Sequence, residues 1–164
     1  MFERLNTPQE SYHHKLGAAL KMEHETLKIL EDSAKNAQDD RIRGLFEHHH
    51  RETEGQIETL HRVFDSFGWE VDDSPCPAIE GIRSEAKANA KKTDDALVDA
   101  ILLQGAVETE HHEIAVYENL IINARAMGKD DAVRMLEQNL EIEQHTLDEV
   151  RRAEEHVAAH APQV

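Results

Sequence analysis

The chain has 164 residues, 39% of them hydrophobic, which suits a single core and one domain spanning 1–164. Eighteen Lys plus Arg against 34 Asp plus Glu leave a net charge of −16 at pH 7, which repels nucleic acid and anionic membrane surfaces and attracts cations. The lone Cys76 excludes an intrachain disulfide and any cysteine-rich zinc or rubredoxin-like module, so a bound metal would be held through oxygen and imidazole.

No stretch approaches the roughly 18 consecutive apolar residues of a membrane span. The opening MFERLNTPQE lacks the apolar run of a signal peptide, so a cytoplasmic location is expected. In chain order, Thr7-Pro8-Gln9-Glu10 reads as a capping box with proline at the first helical position, opening a helix to about Lys35. Asn36 to Asp39 form a turn, and a second helix from about Asp40 to Phe67 stops at Gly68. The segment GWEVDDSPCPAI is the long irregular connection, expected to cross the molecule and to lead into a short helix near Glu80 to Lys91. Thr93-Asp94-Asp95 should cap a long helix to about Met127, stopped by Gly128. Asp130 or Asp131 should cap the last one, to about Ala159. Four helices of about 28 to 34 residues, each roughly 40 to 50 Å long, predict an all-α four-helix bundle.

In a bundle the inward line of each helix repeats at spacings of four and three. The first helix offers Leu16, Leu20, Glu23, Leu27, Leu30 and Ala34, an apolar line interrupted by one acid. The second offers Ile42, Leu45, His49, Glu52, Gln56, Thr59 and Val63, flanked by Phe46 and Leu60. The third long helix offers Ala100, Leu103, Ala106, Glu110, Glu113, Tyr117, Leu120 and Ala124, leaving Glu108, His111 and His112 to the sides. The last offers Ala132, Leu136, Asn139, Glu143, Thr146, Val150 and Ala153. Residues equidistant from a turn lie level on two antiparallel helices. The midpoint between Glu23 and Glu52 falls inside the first turn, and that between Glu113 and Glu143 falls on Gly128. Glu23, Glu52, Glu110, Glu113 and Glu143 are therefore expected near one layer.

Burying five carboxylates costs several kcal/mol each, and no Lys or Arg occupies the inward lines at that level. Two divalent ions would bring four positive charges against five negative ones. Bundles that aim Glu side chains inward from four helices, with one or two imidazoles, are how carboxylate-bridged di-iron and di-manganese centres are built, and an oxygen-rich donor set favours those metals over zinc.

The segments HHRETEGQIETL, CPAIEGI, DDALVDAILLQGAVETEHHEIAVYENL and MLEQNLEIEQHTLDEV resemble, in succession, the YciF-like (YciE/YciF) family of ferritin-like proteins, over about residues 16 to 155. The resemblance implies a ferritin-like four-helix bundle with a crossover helix, a homodimer, a di-metal centre of the rubrerythrin type and a stress-associated bacterial protein. It carries over onto Glu23, Glu52, Glu110, Glu113 and Glu143. The chain departs from the usual ferritin-like pattern of an acid followed three residues later by a histidine, since Gly55 follows Glu52 and Thr146 follows Glu143 at that spacing. His49, one turn before Glu52, is then the candidate imidazole ligand, and Gln56 could ligate or hydrogen-bond the site. Tyr117 is either an oxidisable neighbour of the acids or a core residue with its hydroxyl paired. His24, His111, His112 and His145 fall off the inward lines, His13, His14, His156 and His160 read as surface residues, and Cys76 as a small packed one.

Two function classes follow. One is a centre of two iron or manganese ions that reacts with oxygen or peroxide. The other is a non-catalytic structural or stress protein that dimerises through its outer helix faces, with any metal only holding the fold together. An iron-storage cage is a weaker third, because the tail HVAAHAPQV is too short for the extra C-terminal helix of large cages.

Overall fold

A computed structural model describes residues 4–72 and 74–160. The described residues form five α-helices, α1 (Pro8–Asn36), α2 (Asp40–Phe67), α3 (Pro77–Ala90), α4 (Val98–Ala126) and α5 (Asp130–His160), with a 3-10 turn at Asp95–Leu97 before α4. Among the described residues there is no strand, and no helix is long and apolar enough to cross a membrane.

The helix ends follow their local chemistry. Thr7 and Glu10 form the reciprocal capping box, the Glu10 N–H donating to Thr7 Oγ1 at 3.1 Å and the Thr7 N–H to Glu10 Oε2 at 2.9 Å. Asp39 caps α2 by accepting from the Arg41 N–H at 2.7 Å. Gly68 and Gly128 end α2 and α4 in the left-handed region, with φ of 70° and 67°. The start of α4 departs from expectation: Asp94 makes no side-chain cap, the 3-10 turn intervenes, and the α-helix begins at Val98. Asp99 is used instead to bind the other hairpin, accepting from the backbone N–H groups of Gln38 and Asp39 at 2.8 and 2.9 Å. Helix α3 starts at Pro77, three residues before the expected Glu80, because a proline at the first helical turn gives up no needed N–H.

Those Asp99 contacts place the start of α4 beside the α1–α2 turn, so the connection after α2 returns along the length of the bundle. Helices α1 and α2 form one antiparallel hairpin and α4 and α5 another. Helix α1 packs on α4 and α2 on α5, while α3 covers α4 and α1. Every neighbouring pair in this square is antiparallel, and the diagonal pairs α1/α5 and α2/α4 run parallel. This is an all-α, ferritin-like four-helix bundle with a crossover that carries a short helix.

The core is divided. One apolar cluster, with Leu16, Leu60, Phe64, Leu120 and Leu136, fills the end near the α4–α5 turn. A smaller one, with Leu30, Ile42, Phe46, Leu103 and Val150, fills the end near the α1–α2 turn. Between them lies a buried polar layer of Glu23, Thr26, His49, Thr53, Gln56, Glu110, Glu113, Asn139, Glu143 and Thr146. A bundle gains most by burying apolar surface, so a polar layer across its middle carries a cost that some other interaction has to offset.

The crossover is tied down by charge and by two histidines. Arg83 of α3 reaches Glu25 at 2.8 Å and Asp32 at 3.7 Å, and Lys87 reaches Asp32 at 3.4 Å. His13 and His14 are half-buried rather than surface residues: His13 Nε2 donates to the Glu70 carbonyl at 2.9 Å, and His14 Nδ1 stands 2.8 Å from the Ser74 hydroxyl. Hydrogen bonds from Lys28 and Lys21 hold the buried Glu25 carboxyl down at about 2, against 4.5 for an unperturbed Glu. A depressed carboxyl contributes stability above its unfolded pKa that disappears as pH falls toward the folded value. Glu25→Gln is thus expected to cost about 1 to 2 kcal/mol at pH 7, limited because Lys21 and Lys28 stay in contact with water. In urea unfolding the gap from wild type should close as pH falls from 4.5 toward 2. A gap independent of pH would show that the ion pairs are not its source.

Candidate metal centre

Each long helix delivers part of the polar layer. Glu23 comes from α1, His49 from α2, Glu110 and Glu113 one turn apart from α4, and Glu143 from α5; none is more than 2% exposed. His49, Glu110, Glu113 and Glu143 each offer one ligand atom within 4.8 Å of the others. His49 Nε2 lies 3.2 Å from Glu110 Oε1 and 3.5 Å from Glu143 Oε2. Glu23 borders this group closely enough that its charge acts on Glu113 and Glu143.

Neighbouring side chains orient the acids and occupy one oxygen of most of them. The Tyr117 hydroxyl donates to Glu23 Oε1 and accepts from Asn139 Nδ2 at 2.9 Å, which places this tyrosine in the core with its hydroxyl paired. Thr26 donates to Glu113 Oε1 at 2.6 Å, and Gln56 Nε2 donates to Glu143 Oε1. Left without a hydrogen-bond partner are Oε2 of Glu23, Glu110, Glu113 and Glu143, Nε2 of His49, and Oε1 of Gln56. Buried polar atoms are almost always paired, so six orphans in one layer require an explanation. A cation explains them: carboxylate oxygens and an imidazole nitrogen are the donors a metal ion takes, and those of His49, Glu110, Glu113 and Glu143 belong to the residues that converge, with Glu23 bordering them. The buried His/Glu cluster could hold a metal ion.

The electrostatics of the metal-free layer agree with this. Burial raises the Glu23 pKa to about 7, with repulsion from Glu110 adding and the Tyr117 hydrogen bond and His49 opposing. Burial likewise pushes Glu113 and Glu143 well above the usual carboxylate range, and repulsion by the neighbouring acids pushes them further. For His49 burial favours the neutral ring, but the negative charge of Glu110, 3.2 Å from Nε2, with the hydrogen bond to Glu52 and the charge of Glu113, outweighs it and raises its pKa well above 6.5. The layer therefore holds protons where a metal would replace them.

Glu52 does not join the inner group. The buried face of α2 carries Ile42, Phe46, His49, Thr53, Gln56, Thr59, Leu60 and Val63, whereas Leu45 and Glu52 of the expected line are only half-buried. The expected and observed lines share Ile42, His49, Gln56, Thr59 and Val63, and the burial of Phe46 and Leu60 turns the helix just far enough that Thr53, not Glu52, takes the inward place next to His49. The Glu52 side chain, 25% exposed, lies at the rim, 3.4 Å from His49 Nδ1 and 3.4 Å from His48 Nε2. Its hydrogen bond to His49 lowers its pKa, with burial opposing. Of the remaining histidines, His24, His111 and His145 are exposed, while His112 is half-buried with Nε2 3.8 Å from Cys76 Sγ. Cys76 itself packs in the larger apolar cluster. Thr26 and Asn139 are the residues of the layer whose roles sequence reasoning did not identify. Asn139 had a signal, as a polar residue on the inward line of α5, whereas Thr26 lies beside the line of α1 and had none.

Comparison with known proteins agrees with the fold and the residue pattern. Residues 7–161 match the family described as a domain of unknown function, DUF892. The protein YciF of Escherichia coli (strain K12) is 30% identical over 144 residues, 87% of this chain and 87% of that one. The crystal structure of the E. coli stress protein YciF superposes with a TM-score of 0.90 at 26% identity, covering 95% of this chain and 99% of that chain. YcfI of Rhodopseudomonas palustris superposes with a TM-score of 0.88 at 31% identity, covering 92% and 97%. Protein XCC3681 of Xanthomonas campestris pv. campestris, at 19% identity, 93% and 94% coverage and a TM-score of 0.74, shares the fold. A family match over nearly the whole length, together with a relative at 30% identity, shows that this chain belongs to the YciF-like family, DUF892.

Proposed function

We propose that this chain is a stress-associated metalloprotein that holds two iron or manganese ions among its four long helices and reacts there with oxygen or peroxide. The observation that supports it is the set of five orphaned donor atoms, one each from Glu23, Glu110, Glu113, Glu143 and His49. His49, Glu110, Glu113 and Glu143 would hold one ion. Glu23, whose charge is felt by Glu110 and Glu113, would help to hold the second. Bound iron or manganese supplies the redox equivalents and an open coordination position for the oxidant. The protein's part is orientation: the hydroxyls of Tyr117 and Thr26 and the amide of Gln56 fix Glu23, Glu113 and Glu143 through one oxygen and leave the other free. The apolar clusters on both sides of the layer keep bulk water away from it. E. coli YciF is described as a stress protein, and the same role is proposed here. A cytoplasmic homodimer belongs to the same reading.

A second reading is favoured by the sealing of the ligands, none more than 2% exposed. In it the metal only ties the helices together, as in a structural protein. One experiment separates the two. The chain is purified without chelator, its metals are counted, and ferrous iron is added with oxygen or peroxide. About two ions per chain with rapid oxidation supports the first reading. Bound metal that stays inert favours the second, and a chain that takes up no metal overturns the first.

A further inference from the structure

Glu52 was expected among the ligands by its spacing, and its position at the rim assigns it different work. Its Oε2 stands 3.4 Å from His49 Nδ1, and the Thr146 hydroxyl stands 3.2 Å from the same nitrogen. The opposite ring nitrogen, Nε2, points at Glu110 and Glu143 and has no hydrogen-bond partner. An imidazole can give an electron pair to a metal through Nε2 only if Nδ1 carries the proton, and that proton needs an acceptor. We propose that Glu52 is a positioning residue, which accepts a hydrogen bond from His49 Nδ1–H, with Thr146 beside it, and so aims Nε2 at the metal position. This rests on the metal-centre reading above and adds a residue outside the ligand set.

The local structure suits the task. Glu52 lies three residues after His49 on α2, so one turn of helix sets their separation. The other Glu52 oxygen faces the exposed His48 at 3.4 Å, which draws the carboxylate across the rim and away from the inner group. Glu52 is also the one acid of the sequence-predicted set that reaches solvent, so changing it leaves the packed layer intact. Among the described residues, Thr146 is the other group near Nδ1, and a hydroxyl accepts less strongly than a carboxylate.

The test uses the full chain, freed of metal and titrated with Co2+, whose spectrum reports its ligands. It compares wild type, Glu52→Gln, whose amide oxygen still accepts from Nδ1–H, and Glu52→Ala, which cannot. Glu52→Ala is expected to bind the same number of ions about 10- to 100-fold more weakly, the effect typical of an outer hydrogen-bond partner of a ligating histidine. The paramagnetically shifted imidazole N–H signal of the Co2+-loaded protein should exchange faster with D2O. Glu52→Gln should recover most of the affinity. Loss of one whole ion in both variants would make Glu52 a ligand and overturn the proposal. Unchanged affinity and exchange in Glu52→Ala would overturn it too. If wild type binds no Co2+, the metal-centre reading fails, and crystals of metal-free wild type and Glu52→Ala test the hydrogen bond separately. A ring that turns only in Glu52→Ala supports the proposal, and one that keeps its orientation overturns it.

Discussion

Glu113→Gln is expected to make the metal-free chain more stable while removing most of its affinity for metal. Glu113 has no exposed surface and sits among acids; burial first, then Glu23 and Glu110, push its pKa far above the usual range. Glutamine keeps the shape and an oxygen for the Thr26 hydroxyl, and its NH2 group can donate to the acids that repel the carboxylate. Replacing an acid that must take up a proton to be buried at pH 7 by a neutral isostere removes that cost, typically a gain of about 1 to 3 kcal/mol. For a chain of this length that is a rise of very roughly 2 to 4 °C in melting temperature per kcal/mol, read by thermal melts with chelator present. In a Mn2+ titration the same variant should lose more than about 100-fold in affinity, beyond the 10- to 100-fold typical of outer partners, because a direct donor is gone. Wild type should instead gain stability with metal, about 2.7 kcal/mol at 100 times the dissociation constant. A metal-free Glu113→Gln that melts well below wild type would identify the acid as a structural hydrogen-bond group instead. Loss of stability at the acid layer is the expected accompaniment of a binding site held ready for its ion.

Metal-free protein should lose stability as pH rises from about 4.5 through 7, and metal should reverse that trend. The sign follows from the direction of each shift. Glu23, raised from 4.5 to about 7, stays protonated in the folded state over a range where the unfolded chain has released its proton, and Glu113 and Glu143 are shifted the same way. Deprotonation in the fold is thus resisted, so folding is progressively disfavoured above pH 4.5. His49 adds to this: its folded pKa is raised above 6.5, so its contribution is complete below 6.5 and is lost as pH climbs through the folded value. Metal uptake displaces these protons, so affinity should increase with pH, by roughly tenfold per pH unit for each proton released. Calorimetric titrations near pH 6.5 in buffers of different ionisation enthalpy should count at least one proton released on loading. Uptake with no proton release and a flat pH profile would mean that the acids are already ionised, and the burial argument would fail with it.

Much of this architecture is legible from local rules. Capping at Thr7, the helix-stopping glycines at 68 and 128, and the four-and-three spacing of apolar residues depend on neighbours within a turn or two, and the helices they predict are present with small changes at their ends. The positions of Glu23, Glu110, Glu113 and Glu143 on buried lines follow from the same periodicity, because each of those lines is apolar enough on both sides to admit one register. Helix α2 is different. Its two interleaved lines share Ile42, His49, Gln56, Thr59 and Val63, and each is partly polar, so periodicity ranks Glu52 and Thr53 almost equally; the choice falls to the packing of Phe46 and Leu60 against the neighbouring helices. That small rotation places Glu52 at the rim of the ligand layer and not within it. Asp99 binding the opposite hairpin, and His13 and His14 anchoring the crossover, are likewise contacts between residues about 60 positions apart. Helical periodicity is a property of the chain and places a residue on a face; which atom of a boundary residue meets which partner depends on helices that only come together in the folded bundle.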